Sequence, residues 1–176
     1  MKKAKFLFLA IMAFVAAGCG QTDGVKDYLI TDFGGVGDGK FLNSRTIQSA
    51  IDYISENGGG RLVFPAGDYV SGTFYLKSDV TLHLEGSTNP FDYVKDPYIQ
   101  WTSLIFALKQ KNIGITGKGT INGRGFAIGY NVCDNVHKGL FNDPLRNDRP
   151  NEVNRPQNIY FRECDGVTVQ DIFLRD

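Results

Sequence analysis

The feature that most restricts the fold of this chain lies near its carboxyl end. Ile159, Val167 and Ile172 each open a short apolar run, and the runs follow one another within a few residues. The separators, such as Cys164-Asp165-Gly166 and Gln170-Asp171, are too short to hold a helical crossover between parallel neighbours of one sheet. Two architectures remain. One is an antiparallel sandwich or barrel, and the other is a parallel β-helix whose coils stack on one another. Similar phrases of Asn or Asp, apolar, any residue, apolar recur at 79–82, 112–115 and 158–161.

The same punctuated pattern reaches back through most of the chain. Short β-rich runs stand at 28–33, 61–65, 73–76, 79–84, 104–108, 112–116, 119–121, 158–161, 167–169 and 172–174, with Gly, Asn, Asp or Pro in nearly every gap. Residues 34–39 read as a turn-rich loop. One segment breaks the pattern. Ile47, Ala50, Ile51 and Ile54 fall at helical spacing, which predicts a helix over 43–57 with Asn43 or Ser44 as its cap and Gly58-Gly59-Gly60 as its stop. No later stretch repeats that period. A solenoid needs a cover over its first coil, and a single amphipathic helix ahead of the strands suits that place.

Composition removes several classes. Lys+Arg and Asp+Glu are 19 each, so a basic nucleic-acid face is not expected, and 42% hydrophobic content is too high for a disordered chain. The 21 glycines follow no three-residue period and fit turns better than collagen. His83 and His137 stand far apart, outside any zinc-ligand spacing, so no metal or other cofactor is expected. Cys133 and Cys164 could form a disulfide outside the cytoplasm, worth about 3–4 kcal/mol. Two separate thiols are the favoured reading, with Cys164 a small core residue.

The amino end reads as an address. Lys2, Lys3 and Lys5 precede the apolar run from Phe6 to Ala17, which is too short to span a bilayer and has the pattern of a secretory signal. Ala16-Ala17-Gly18-Cys19 resembles a bacterial lipobox. That resemblance implies cleavage after residue 18, lipid attachment at Cys19, a linker over 19–27 and residence in the cell envelope, at the outer membrane or cell surface. Acyl chains add about 0.8 kcal/mol of membrane affinity per buried CH₂. The membrane is therefore an expected partner.

From Thr31 onward the chain resembles glycoside hydrolase family 28, the polygalacturonase-like enzymes. The phrases are Asp32-Phe33-Gly34-Gly35-Val36-Gly37-Asp38-Gly39, Thr46-Ile47-Gln48-Ser49-Ala50-Ile51-Asp52 and Gly58-Gly59-Gly60. Phe64-Pro65-Ala66-Gly67-Asp68-Tyr69, Leu76-Lys77-Ser78-Asp79-Val80, Gly117-Lys118-Gly119-Thr120-Ile121-Asn122-Gly123 and Arg155-Pro156-Gln157-Asn158-Ile159 follow in the family's order. The resemblance implies an all-β fold: a right-handed parallel β-helix of the pectin-lyase type over 28–176, with the helix capping the first coil. It also implies pectic or other uronate-containing polysaccharide as partner and hydrolysis with inversion, which needs one carboxylic acid and one carboxylate base.

The family's catalytic phrases are Asn-Thr-Asp, Asp-Asp, Gly-His-Gly and Arg-Ile-Lys, and none occurs at a usable place. Gln21-Thr22-Asp23 lies ahead of the fold, no two acidic residues are adjacent, and neither histidine is flanked by glycines. No catalytic residue is therefore assigned. The chain reads as the amino-terminal portion of such a glycosidase, truncated at the carboxyl end and inactive alone, with the missing carboxyl-terminal portion as a partner. The alternative is a noncatalytic surface module that binds polysaccharide or pairs with another chain. The polar segment 130–156 is expected to be a long surface excursion. Its Lys138, Arg146, Arg149 and Arg155 are candidates to meet substrate carboxylates. Tyr93, Tyr98 and Trp101 are expected mainly to pack a loop. Gly34 to Lys40 has the spacing of a phosphate loop, but Phe41 replaces the metal-holding Ser/Thr, and Asp38 would oppose a phosphate.

Overall fold

The computed structural model describes residues 24–85, 103–140 and 157–175. In chain order the first coil brings β1 (Asp27–Leu29), a 3-10 turn (Ile30–Phe33), β2 (Asp38–Leu42) and α1 (Ser44–Glu56). Next come β3 (Gly60–Phe64), β4 (Asp68–Val70), β5 (Phe74–Tyr75), β6 (Val80–Leu84) and β7 (Ser103–Leu108). The chain continues through β8 (Lys111–Gly117), β9 (Thr120–Asn122) and α2 (Gly125–His137) to β10 (Gln157–Arg162), β11 (Asp165–Gln170) and β12 (Phe173–Arg175).

Every strand pairing among these is parallel. The longest sheet runs β1-β3-β6-β8-β11, a second runs β5-β7-β10, and β9-β12 and β2-β4 form pairs. This excludes the antiparallel sandwich. The protein is a parallel β-helix.

Register explains the core. Leu62 opposes Leu82 and Leu82 opposes Ile115, so one inward side chain per rung stacks on the next. These three are at most 1% exposed. Ile113 and Ile121 continue the interior beside them, and Phe64 meets Tyr69 edge-on at 5.4 Å. At the front, α1 turns Ile47, Ala50, Ile51 and Ile54 into the same core, all buried.

The tight corner between the second and first sheets demands a left-handed residue at each level. Asp79, Asn112 and Gly166 have φ of 63°, 52° and 66°, and Asn112 Nδ2 donates to Asp79 Oδ1 at 3.0 Å. Asp, Asn and Gly tolerate that conformation best. Two of the three recurring sequence phrases mark this corner. The third, at Asn158, lies in β10 of another sheet, and the true third level is Asp165-Gly166-Val167.

Four expectations need correction. Residues 28–33 are not one strand: β1 stops at Leu29, and Ile30, fully buried, starts a 3-10 turn that Gly34 closes at φ 86°. The loop expected over 34–39 ends in β2, whose pairing with β4 is irregular. Neither Asn43 nor Ser44 caps α1 through its side chain; Asn43 reaches back to Val36 and Phe41, and Ser44 Oγ accepts from the Gly72 amide at 2.6 Å. Tertiary partners displace the local cap. Finally, α2 occupies part of the stretch expected as an irregular excursion. Its sequence hides it, because Gly129, Asn131 and Asn135 favour other conformations. Pairs one turn apart, Asn131–Asn135 and Asp134–Lys138, support it instead.

Candidate functional site

A β-helix presents flat outer faces, and the second sheet carries the most distinctive one. Along β5, β7 and β10 the neighbours Phe74, Ile105 and Ala107 point inward and are buried, with Ile159 and Phe161 packed against them. Alternation therefore places Tyr75, Phe106 and Tyr160 on the outer face, and register aligns them across three rungs. The Phe106 and Tyr160 rings stack at 5.5 Å with only 17° between planes, while Tyr75 meets Phe106 at 5.6 Å and 72°. Tyr75 remains 56% exposed.

Polar groups fence this row. Gln48 on α1 accepts from the Tyr75 amide at 2.7 Å and donates to its carbonyl at 3.1 Å, fixing the backbone beneath the ring. The same Gln48 amide donates to Asp52, which also pairs with Lys77 at 2.9 Å. Two positions beyond Tyr160 lies Arg162, paired with Glu163 at 3.1 Å, and Glu163 also faces Lys109 at 3.6 Å. All of these ionic groups are solvent-accessible.

The outer face of the long sheet is different. Arg61 donates two hydrogen bonds to Asp27, at 2.7 and 2.6 Å, and this holds the Asp27 carboxyl below its ordinary range while raising Arg61. His83 Nδ1 lies 2.9 Å from Thr116 Oγ1. In the phosphate-loop-like segment, Asp38 accepts from the Phe41 and Lys40 amides, both at 2.8 Å, which lowers its pKa. The loop's own carboxylate thus occupies donors that a phosphate would need.

Of the sequence candidates, Lys138 follows the last residue of α2, with its ammonium held by Asp134. That ion pair ties it to its own helix and not to the aromatic row. Arg146, Arg149 and Arg155 lie outside the described residues, as do Cys19, the signal segment, Tyr93, Tyr98 and Trp101. Cys133 and Cys164 are not joined in a disulfide, and Cys164 packs beside the core. Among the described residues no three His, Cys, Asp or Glu side chains cluster as metal ligands, and no helix is long and apolar enough to cross a membrane. Sequence reasoning missed the aromatic row because its members sit in three separate phrases. Only the rung register aligns them.

Stacked parallel rungs with a helix over the front and a broad outer sheet face define a parallel β-helix of the pectin-lyase type. No family model matches the chain. Over 133 residues it is 39% identical to an exo-poly-α-D-galacturonosidase of Dickeya chrysanthemi, an alignment covering 63% of this chain and 22% of that protein. A solved structure from Parabacteroides merdae, described as a glycosyl hydrolase, superposes with a TM-score of 0.75 at 39% identity, over 85% of this chain and 64% of its own. The family 28 exopolygalacturonase of Yersinia enterocolitica gives 0.64 at 26% identity, over 87% of this chain and 35% of that one. The chain is a relative of the polygalacturonases, family 28-like over the residues that align. It spans less than a quarter of the curated galacturonosidase.

Proposed function

We propose that this chain is a portion of a pectic-polysaccharide hydrolase, supplying the leading rungs of the β-helix and not the inverting acid and base. The 39% identity to a poly-galacturonosidase over 133 residues carries the reading. The sequence supports the division of labour, because it has no adjacent acidic pair and no other catalytic phrase of the family. The acids on the aromatic face, Asp52 and Glu163, are each tied to a cation instead of standing as a facing pair. The test is an assay of the full chain on polygalacturonate. No new reducing ends are expected, while binding to the polymer is. Turnover that disappears on mutating an acid of this chain would refute the noncatalytic part.

A noncatalytic polysaccharide-binding module is the second reading, favoured by the ion pairing of those same acids. It predicts the same binding with no enzyme elsewhere to complete. Export and lipid attachment at Cys19 are part of the proposal, supported by Lys2, Lys3 and Lys5, the apolar run and the lipobox-like Ala16-Ala17-Gly18-Cys19. Labelled fatty acid should enter the wild-type chain and not Cys19→Ser.

A further inference from the structure

We propose that the front end of the β-helix is a bilayer-docking surface, on which Val25, Leu29 and the Tyr28–Phe33–Tyr53 aromatic trio meet the lipid interface and stand the coil on the membrane. The inference rests on the lipid attachment at Cys19 proposed above and says which face of the fold that anchor brings down.

Three observations carry it. First, apolar surface remains at the front although the core there is covered. β1 is the edge of the long sheet, with no rung ahead of it among the described residues, and α1 turns its apolar stripe inward. Even so, Val25 is 69% exposed, Leu29 42%, and Tyr53, which lies off the buried stripe of α1, 47%. Second, the aromatic groups form one patch. Tyr53 meets Tyr28 at 6.1 Å and Phe33 at 5.7 Å, both edge on, and Tyr28 lies 6.5 Å from Phe33. The Lys26 ammonium stands over the Tyr28 ring at 4.6 Å. Tyrosine beside lysine is a pairing that membrane interfaces favour: the ring settles at headgroup level, and the ammonium reaches water or phosphate from an apolar stem.

Third, the tether is short. Lys26 is seven residues past Cys19, a reach of at most roughly 25 Å. Acyl chains in the bilayer then hold the front at an effective concentration on the order of millimolar. Contacts too weak to bind a free protein are enough to keep this end down. Over 24–43, two lysines stand against three aspartates, so the coil has no basic excess. The occupant it fits is the interface of a zwitterionic bilayer and not a cluster of anionic lipid. With the front down, β11 lies four strand spacings farther along the axis, roughly 19 Å from β1.

The rival explanation is that the trio only packs the first coil, while the anchor leaves the body free in water. The lipidated full chain on phosphatidylcholine vesicles, with and without brominated acyl chains, separates the two. After subtraction of the wild-type signal from Trp101, Tyr53→Trp should lose emission in brominated vesicles and Val167→Trp, on β11, should not. Added salt should leave the quenching unchanged. Adding Val25→Ser and Leu29→Ser to the Tyr53→Trp chain should restore its emission, while the chain still sediments with the vesicles. Should Tyr53→Trp lower the melting temperature, Leu29→Trp serves as the front reporter with the same expected loss. If the chain sediments but the front and back reporters are quenched alike, or neither is quenched, the docking surface is wrong and lipid attachment survives. If the wild-type chain carries no lipid and stays in solution, both fall.

Discussion

Asn43 is the residue on which the front of the molecule turns. It is fully buried, yet none of its polar groups is idle. Its side-chain oxygen accepts from the Val36 amide at 2.8 Å, and its amide nitrogen faces the carbonyls of Val36, Phe41 and Val70 at 2.9, 2.9 and 3.3 Å. Its own amide donates to Val70, and its carbonyl accepts the first helical bond from Ile47. One side chain therefore joins the loop, β2, β4 and the start of α1. Removing it takes the side-chain partner from the part-buried Val36 and Phe41 backbone groups, an unmet group costing about 1–3 kcal/mol where water cannot replace the bond. Asn43→Ala should cost about 3 kcal/mol in urea unfolding, and Asn43→Asp more, because a carboxylate would face three carbonyl oxygens. A loss below about 0.5 kcal/mol for the alanine variant would mean that the staple is dispensable. The sequence offers Asn43 as a helix cap, which is the commonest use of that residue there. Its long-range partner Val70 lies beyond the reach of local pattern.

At the scale of elements, legibility follows how local each cause is. The helix α1 is legible because Ile47, Ala50, Ile51 and Ile54 carry its period in thirteen consecutive residues. The rungs are legible as short strands because separators such as Cys164-Asp165-Gly166 exclude a helical crossover, but the choice between an antiparallel sandwich and a coil needs the pairings themselves. By contrast, β2 is exposed along its whole length and has no apolar alternation to betray it, and α2 carries Gly129, Asn131 and Asn135, which are poor helix formers. The aromatic face needs register, which only the assembled coils supply. The join between β1 and β3 gives a prediction at this scale. Asp27 and Arg61 are cross-strand partners whose bidentate contact depresses the Asp27 pKa. A depressed folded-state value means that the pair stabilises the native state above the unfolded pKa near 3.8. That contribution is lost as pH falls through the lower folded value. With side chains 46% and 37% exposed, screening limits it to no more than about 1 kcal/mol. Asp27→Asn should therefore lower stability slightly at pH 7 and leave it unchanged in acid, once the folded-state carboxyl is protonated. An equal effect at both pH values would assign the change to packing.

The whole molecule is asymmetric from front to back. At the front, α1 covers the interior. At the back, β10, β11 and β12 each form the edge of their sheet among the described residues. Registers make the contrast quantitative: Ile115 is 0% exposed and its partner Val169 is 49%, while Ile121 at 3% opposes Leu174 at 54%. The inward side chains of this last level thus meet water, on strands that have no further partner among the described residues. Such a surface is a template for further strands. The chain should therefore associate through this face, because the helix-covered front offers no matching core for head-to-tail growth. Back-to-back dimers or larger particles are expected in light scattering at micromolar concentration. A lysine at the mouth of the open core should repel a second copy while leaving the rungs above intact, since Val169 has only half its surface to lose. Val169→Lys should therefore shift the population towards monomer with a melting temperature within a few degrees of wild type. A wild-type chain that stays monomeric and melts in one cooperative step would show that these exposed side chains do not drive association.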